Sequence, residues 1–246
     1  MSDARHIVVT GGGSGVGAAI AQAFAQSGAR VTILGRREAP LQEQGLPYAL
    51  CDVTDRDQVA AAMDVARTQN GAITGVVANA GDAQSQPFDK MRPADIRAML
   101  DVNLIGVINT WQAVLAELRA AGQGRLIAIA STAGLKGYPY VSAYCAAKHA
   151  VVGLTRALAR ELAPTGITAN AICPGFVETP MLQRSIDTIT QKTGLSAEDA
   201  AAKLRHDNPQ GRFVQAGEVA SAALWLASDA AASVNGHALS LSGGEV

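Results

Sequence analysis

The chain alternates between two hydrophobic patterns. Short runs rich in β-branched and other apolar residues are followed by longer segments in which apolar residues recur with helical spacing. This alternation is typical of βαβ units, in which parallel strands form a sheet and the connecting helices cover both of its faces. The pattern therefore predicts an α/β, doubly wound fold with a mostly parallel, seven-stranded sheet.

The predicted elements have defined bounds. The strands are predicted at 7–10, 30–34, 48–51, 73–79, 125–131, 167–173 and 238–241. The helices are predicted at about 15–28, 55–69, 92–119, 141–163 and 216–228. Terminal residues support these bounds, since Thr54-Asp55 can cap the second helix, Pro93 suits the first turn of the third, and Gly28 and Gly166 stand where helices stop.

One segment, at about 178–210, departs from the alternation. It follows the end of a predicted strand and contains two amphipathic helical pieces, 181–192 and 197–206. An insertion at the carboxyl end of a strand is where a substrate lid is expected. The chain has 246 residues and is 48% hydrophobic, so we predict a single domain over 1–246, with this lid.

Composition and charge exclude several classes of partner. The 20 Lys and Arg residues nearly balance the 21 Asp and Glu residues, and no basic run indicates a nucleic-acid or anionic-membrane surface. No apolar run resembles a signal segment or approaches the roughly 18 residues of a membrane span, so we expect a cytoplasmic protein. Cys51, Cys145 and Cys173 are widely spaced and form no C-x-x-C, so neither a disulfide framework nor a metal site is predicted.

The stretch from Ser131 to Lys148 is the predicted reactive centre. Tyr144 and Lys148 are four residues apart and share one face of a helix, where the lysine can lower the pKa of the phenol. Ser131 ends an apolar strand, from which its hydroxyl can reach the same substrate oxygen. The alternative is a core helix that carries an incidental tyrosine and lysine.

A glycine-rich turn directly after the first strand is a candidate nucleotide site. Its glycines let the backbone approach a pyrophosphate, which then lies at the N-terminus of the following helix. The spacing is G-x-x-x-G-x-G, and a purely structural tight turn is the alternative. The candidate residues are Gly11, Gly13, Ser14, Gly15, Val16 and Gly17.

The end of the second strand carries Arg36 and Arg37, where NAD-binding proteins usually have an acidic residue. A guanidinium group suits a 2′-phosphate, so NADP(H) is favoured over NAD(H); a solvated turn is the alternative. Asp52 can accept a hydrogen bond from an adenine amino group, with Val53 against the ring. Three more candidates close the fourth strand at the same edge: Asn79, Ala80 and Gly81.

Together these motifs resemble the short-chain dehydrogenase/reductase family, in its compact, Rossmann-type form, over the whole chain. The matching motifs, in order, are T-G-x-x-x-G-x-G at 10–17, N-A-G at 79–81, Asn103 within N-L-I-G, Ser131, Y-x-x-x-K at 144–148 and P-G-x-x-x-T at 174–179. Two departures are Ala78, where many relatives have asparagine, and the missing acidic residue after the second strand.

The resemblance implies an NAD(P)-dependent oxidoreductase that transfers hydride between the nicotinamide and a secondary alcohol or ketone. Tyr144 would exchange a proton with the substrate oxygen, and Ser131 would polarise that oxygen. Lys148 would hold the nicotinamide ribose, and Asn103 would position a water that links Lys148 to solvent. The resemblance also implies that the nicotinamide is contacted by Pro174, Gly175, Val177 and Thr179.

Helices 92–119 and 141–163 are apolar on more than one side. The residues concerned are Leu104, Val107, Trp111, Leu115, Val151, Leu154, Leu158 and Leu162. Such helices need a second surface, and the resemblance implies a homotetramer built on them; packing against the sheet is the alternative.

The substrate is less well specified than the reaction. Apolar and aromatic residues predicted to wall the pocket are Leu135, Tyr138, Tyr140, Phe176 and Met181. Cationic residues that would meet a carrier phosphate, or else remain solvated, are Lys136, Arg184, Lys192, Lys203 and Arg205. The family resemblance, more than these residues, places a 3-oxoacyl thioester narrowly ahead of other ketones. A nucleotide-sensing or assembly subunit of the same fold is the alternative function.

Overall fold

The computed structural model describes residues 5–246, and its strands form one parallel sheet. The strands are β1 His6–Thr10, β2 Arg30–Gly35, β3 Tyr48–Leu50, β4 Gly75–Ala78, β5 Gly124–Ile129, β6 Ile167–Pro174 and β7 Ala238–Leu241. Their order across the sheet is β3-β2-β1-β4-β5-β6-β7, and each neighbouring pair is parallel. The predicted doubly wound fold is therefore confirmed.

Helices cover both faces of this sheet. They are α1 Gly15–Gln26, α2 Glu38–Gln42, α3 Arg56–Asn70, α4 Pro93–Leu100, α5 Gly106–Ala121, α6 Ser142–Leu162, α7 Pro180–Thr193, α8 Ala197–His206 and α9 Ala216–Ala227. The chain crosses from β3 at one edge to β4 near the centre, so the strand order reverses beside β1. Ligands of doubly wound sheets bind at such a reversal, outside the carboxyl ends of the strands.

Two layers of core hold the helices against the sheet. Along β1, Val8 faces the layer shared with α3, α5 and α6, whereas Ile7 and Val9 face the layer shared with α1 and α9. This alternation follows from the two-residue repeat of a strand, and both faces are apolar because both are covered. Trp111 anchors the first layer and Phe24 the second, and both are buried.

The prediction of one continuous α-helix at 92–119 is wrong. The structure has α4, then a π-helical turn at Asp101–Ile105, and then α5. The short helix α2 was not predicted, because five residues are too few to show a helical repeat. β4 and β5 are also shorter than predicted, so that Ser131 lies just beyond β5 rather than inside it.

The predicted helix boundaries have clear physical causes. The carboxylate of Asp55 caps α3 by accepting hydrogen bonds from the backbone N–H groups of Asp57 and Gln58, at 3.0 and 3.1 Å. Pro93 is the first residue of α4. Gly166 follows the 3₁₀ turn Ala163–Thr165 that continues from α6, with a φ of 72°, a backbone conformation that glycine adopts without strain.

One helical segment in the described part of the chain, Pro93–Ala121, is long and apolar enough by composition to cross a membrane, with a mean hydropathy of 1.2 over its most apolar window. The sequence pattern did not indicate a span of this length. Its side chains Trp111, Val114 and Leu118 are buried in the core layer beneath the sheet. Packing on the sheet therefore accounts for part of its apolar composition.

Candidate active site

A cleft of about 1040 Å³ lies across the carboxyl ends of the central strands. Every residue that sequence analysis assigned to cofactor binding or to chemistry lines this cleft, except Gly17. The glycine-rich turn and Arg36 belong to its β1–β2 side, and Ser131 and Tyr144 follow β5. The sheet thus brings together segments that are more than 100 residues apart in sequence.

The glycine-rich turn is fixed by the neighbouring strand β2. The N–H groups of Gly11 and Gly12 both donate to the carbonyl oxygen of Leu34, at 2.7 and 3.2 Å. Gly11 and Gly15 have φ values of 66° and 55°, a region that other residues rarely adopt. Because α1 begins at Gly15, the N–H groups of its first turn have no partner within the helix and are available to an anion.

Gly17 and Asn79 support this turn from behind. A Cβ atom at Gly17 would lie only 2.3 Å from the carbonyl oxygen of Gly11 and 2.4 Å from Nδ2 of Asn79. That Asn79 nitrogen donates to the carbonyl oxygen of Thr10 at 2.9 Å, and the backbone N–H groups of Asn79 and Ala80 both donate to Oγ1 of Thr10 at 3.0 Å. Asn79 lines the cleft, but its side-chain amide holds the loop.

The end of the cleft beside β2 is positively charged. Nη1 of Arg36 lies 3.7 Å from a carboxylate oxygen of Asp52, and the Arg36 side chain is 71% exposed. Hydrogen bonds from the backbone and hydroxyl of Thr54 keep the pKa of Asp52 below its ordinary value, so its carboxylate stays ionised near Arg36. Arg37 is also exposed and lines the cleft, whereas Val53 is buried at its wall.

The other end of the cleft contains Ser131, Tyr144 and Lys148. Tyr144 and Lys148 lie one turn apart on α6, and Nζ of Lys148 is 5.6 Å from the centre of the Tyr144 ring. Lys148 is buried, and its ammonium group donates to the carbonyl oxygen of Ile129 at 2.9 Å. The hydroxyl of Ser131 accepts from the backbone N–H of Ala133 at 3.1 Å, which fixes its orientation beyond β5.

The pKa of Tyr144 shifts in the direction opposite to the prediction. Burial raises it to about 12, and a hydrogen bond with the Ser131 hydroxyl offsets only part of that rise. Burial also lowers the pKa of Lys148 to about 8. Desolvation is therefore the largest influence on the pKa of Tyr144, which keeps its proton at neutral pH.

Asn103 lies in the π-helical turn and faces Lys148. Its Nδ2 atom donates to the carbonyl oxygens of Asp82 and Met99, at 2.9 and 3.0 Å. Its Oδ1 atom is buried and makes no hydrogen bond to the described residues. A Cβ atom at Gly81 would lie 2.7 Å from this oxygen and 3.6 Å from Nζ of Lys148, so the two polar groups flank the same glycine.

Aromatic side chains wall the end of the cleft beyond Tyr144. The rings of Tyr138 and Phe176 meet edge to face, with their centres 6.2 Å apart. Tyr140 has a φ of 66° and its carbonyl oxygen accepts from the N–H of Gln86 at 2.8 Å, so the mouth of the cleft holds a strained backbone position. Met181 also lines the cleft, but Leu135, which was predicted to do so, packs against the core.

Two contacts join α7 to the loop after β4 across the mouth of the cleft. Arg184 pairs with Asp82 at 3.4 Å, and Nζ of Lys192 donates to the carbonyl oxygen of Ser85 at 3.3 Å. Asp82 and Ser85 line the cleft and were not among the predicted site residues. The position of Asp82 directly after N-A-G, at the active edge of the sheet, was the available signal.

Two other predicted cationic side chains, Lys203 and Arg205, differ in whether they can bind a ligand in the cleft. Lys203 lines the cleft. Arg205 pairs with Glu198 and lies over the Phe213 ring, 5.6 Å from its centre, so it is already engaged by the protein.

A cleft with a nucleotide-binding turn at one end and a protonated phenol beside a buried lysine at the other is that of a dinucleotide-dependent oxidoreductase. Residues 5–190 match the family described as short chain dehydrogenase. The chain belongs to that family, and the resemblance seen in its motifs is confirmed.

Several relatives align over nearly the whole chain. D-beta-hydroxybutyrate dehydrogenase of Cupriavidus necator is 34% identical in an alignment 256 positions long, which covers 100% of this chain and 99% of that protein. The monensin polyketide synthase putative ketoacyl reductase of Streptomyces virginiae is 38% identical, covering 99% and 98% of the two chains. A crystal structure of an actinorhodin polyketide ketoreductase variant with NADPH is 34% identical, with a TM-score of 0.94 and coverage of 100% and 98%.

These findings establish the type of reaction. The protein is an oxidoreductase that uses NAD or NADP to transfer hydride at a CH–OH or C=O group of a small molecule. The predicted class of enzyme is confirmed.

Proposed function

We propose that the protein reduces a ketone to a secondary alcohol with NADPH, and that its substrates include 3-oxoacyl thioesters. One observation carries the proposal: Ser131, Tyr144 and Lys148 lie together at the aromatic end of the cleft, with Asn103 behind them. Each of the four has a contact that fixes it in place, which is what acid–base chemistry at one substrate oxygen requires.

The proposed roles follow from these contacts. The Tyr144 phenol, which is protonated at neutral pH, donates its proton to the substrate oxygen as that oxygen gains charge. Ser131 donates a hydrogen bond to the same oxygen and so stabilises the developing charge. Lys148 binds ribose hydroxyls with its ammonium group and passes a proton towards Tyr144. The free Oδ1 acceptor of Asn103 supports a water on the route from solvent to Lys148.

The described residues fit a dinucleotide. The glycine-rich turn leaves the N-terminus of α1 open to a pyrophosphate. Gly81 lines the cleft, and only glycine fits there because a Cβ atom would collide with Asn103 Oδ1. The proposed contacts to the nicotinamide end are Pro174, Gly175, Val177 and Thr179. When bound, NADPH supplies the hydride. Arg36 and Arg37 carry the proposed preference for its 2′-phosphate.

The substrate class is supported by the walls of the cleft and by relatives. Tyr138 and Phe176 offer ring surfaces to an acyl chain, and Lys192 and Lys203 lie farther out along α7 and α8. Cations at that position suit the phosphate of a carrier or coenzyme attached to the thioester. The names of two relatives, a putative ketoacyl reductase and a D-beta-hydroxybutyrate dehydrogenase, agree with an oxoacyl or hydroxyacyl substrate.

We also propose that the protein is a cytoplasmic homotetramer. The cytoplasmic location is supported by Cys51, Cys145 and Cys173, which are buried free thiols, as is usual in a reducing compartment. The tetramer is supported by apolar residues of α5 and α6 that the chain itself only partly buries, namely Leu115, Leu154 and Leu158. No nucleic-acid or membrane partner is part of the proposal.

A substrate panel run with NADPH and NADH in parallel tests the function. Absorbance at the reduced-nicotinamide band should fall with 3-oxoacyl thioesters and with small or cyclic ketones, and faster with NADPH. Binding of NADPH without any turnover across the panel would instead support a nucleotide-sensing subunit. Turnover of ketones but not of 3-oxoacyl thioesters would refute only the proposed substrate class and leave the proposed reaction standing.

A further inference from the structure

The segment that follows β7 contains a buried carboxylate, that of Glu245. The side chain of Glu245 is only 3% exposed. An ionised carboxylate is costly to bury unless cations and hydrogen-bond donors surround it. Its partners therefore show what the segment holds in place.

Glu245 connects two walls of the cleft from behind. Its Oε1 atom lies 2.8 Å from Nζ of Lys136 and accepts a hydrogen bond from the hydroxyl of Tyr138. Its Oε2 atom would lie 3.3 Å from a Cβ atom at Gly175, so the carboxylate also rests against the backbone that follows β6. Glu245 itself does not line the cleft, whereas Tyr138 and Gly175 do.

The hydrogen bonds of Tyr138 leave its hydroxyl without a proton for a substrate. A phenol has one proton, and Tyr138 gives it to Glu245; its oxygen also lies 2.6 Å from Oγ1 of Thr132, from which it then accepts. The ring is held between Lys136, whose Nζ is 4.8 Å from the ring centre, and the edge of Phe176. Tyr138 thus presents a fixed ring to the cleft.

We propose that Glu245 is a positioning residue for the substrate, which acts through Tyr138. By holding the Tyr138 hydroxyl away from the cleft, it keeps that ring as an apolar wall and leaves Tyr144 and Ser131 to bind the carbonyl oxygen. The substrate is thereby guided into one orientation. This inference rests on the proposed function, because it concerns the binding of the ketone.

The kinetic test compares Glu245→Ala with Glu245→Gln. Loss of the carboxylate should raise KM for the ketone by on the order of tenfold, because the Tyr138 hydroxyl is no longer held and its ring no longer keeps one position, with a smaller change in kcat and an unchanged Kd for NADPH. Glutamine keeps an oxygen that accepts from Tyr138 and should restore most of the affinity. Glu43→Gln, an exposed glutamate away from the cleft, is the matched control and should leave KM unchanged.

A double-mutant cycle separates positioning from a general structural role. In a Tyr138→Phe background the hydroxyl is gone, so Glu245→Ala should add little to the change in KM. An equal effect of Glu245→Ala in both backgrounds, or an unchanged KM in the single variant, would overturn the inference. Circular dichroism of each variant checks that it folds.

A spectroscopic measurement keeps the inference distinct from the proposed function. With tyrosine labelled by carbon-13 at Cζ, the Tyr138 resonance, assigned from Tyr138→Phe, should shift in Glu245→Ala and remain near its original position in Glu245→Gln. If the Tyr138 resonance shifts in neither variant, the proposed role of Glu245 is refuted, even for an enzyme without turnover. Absence of turnover in the unchanged protein, with the expected resonance shift, would refute the proposed function alone.

Discussion

Tyr144 and Lys148, one turn apart on α6, owe their protonation states to burial. With a pKa near 12, the Tyr144 phenol is protonated throughout the physiological range and is ready to donate. Lys148, with a pKa of about 8, is protonated roughly ten times in eleven at pH 7 and loses its charge as the pH rises past 8. The same desolvation therefore favours proton donation by one residue and limits the pH range of the other.

Tyr144→Phe is predicted to abolish nearly all reduction while leaving NADPH binding intact. Phenylalanine keeps the ring in place and removes the only proposed proton donor, a loss of about 10²–10⁴-fold in kcat. Stopped-flow absorbance gives the rate and fluorescence titration gives the Kd. Turnover close to that of the unchanged protein would reject Tyr144 as the acid.

The affinity for NADPH is predicted to fall as the pH rises above about 8. The folded protein holds the pKa of Lys148 below its ordinary value, so the ammonium form that binds ribose hydroxyls disappears early in the alkaline range. Titrations of the Kd between pH 6.5 and 9.5 measure this. Lys148→Met should bind weakly at every pH, and a variant that kept the same pH profile would show that another group titrates.

Arg36→Ala is predicted to weaken NADPH by about 1.5–3 kcal/mol and to leave NADH nearly unchanged. The Arg36 guanidinium lies near Asp52 at the end of the cleft beside β2, where a 2′-phosphate would compete with Asp52 for it. Calorimetry with both cofactors measures the difference, and Arg56→Ala, an exposed arginine outside the cleft, is the control. An equal loss for both cofactors would count against recognition of the phosphate.

Sequence motifs located the chemistry at residue level but not its electrostatics. The positions of Ser131, Tyr144 and Lys148 follow from spacing along one chain segment. The sign of the Tyr144 pKa shift could not be predicted, because it depends on how segments distant in sequence exclude water from one side chain. Contacts such as Arg184 with Asp82 join residues 102 positions apart and leave no trace in local spacing.

Among the elements, the start of α1 depends on the loop that follows β4. Asn79 ties that loop to Thr10 and to the glycine-rich turn, and Gly17 leaves room for its amide. The nucleotide end of the cleft is therefore assembled from two strand ends that support one another.

Gly17→Ala is predicted to lower both cofactor affinity and stability. The added methyl group would overlap Gly11 and Asn79, and relief of such overlap in packed regions costs about 1–3 kcal/mol, more than the helical preference of alanine returns. Thermal unfolding and the NADPH Kd measure the two effects. Gly217→Ala, in the first turn of α9 with nothing within 4 Å of its added Cβ, should be neutral or stabilising; similar losses in both variants would contradict the packing explanation.

Element type was more predictable than element detail. Strands buried on both faces appear as continuous apolar runs, and Asp55 marks the start of α3 by its capping chemistry. The π-helical turn at Asp101–Ile105 could not be read from the hydrophobic pattern, because one extra residue in a turn barely alters the repeat.

On the scale of the whole molecule, part of the apolar surface of α5 and α6 is already accounted for. Val107, Trp111, Val151 and Leu162 are buried within the chain itself. Leu104, Leu115, Leu154 and Leu158 are only partly buried and remain available to another chain. The alternative of packing against the sheet thus explains half of the set, and the predicted tetramer depends on the other half.

Light scattering is predicted to give a mass of four chains of 25.2 kDa each. Burial of the remaining leucines between copies would supply the driving force, at about 25 cal/mol per Å² of apolar surface. Measurement over a dilution series separates a stable tetramer from weak association. A mass equal to one chain at all concentrations would refute the assembly.

The π-helical turn has a consequence for how this chain can change in evolution. Deleting one residue from Asp101–Ile105 would allow a regular helix from Pro93 to Ala121, with better backbone geometry. The same deletion would remove the wide turn in which Asn103 lies, and so displace its side chain from its place beside Gly81 and Lys148. We therefore expect active relatives to lack single-residue deletions in this turn, even where a deletion would stabilise the isolated helix. Selection for activity would then retain the irregular turn.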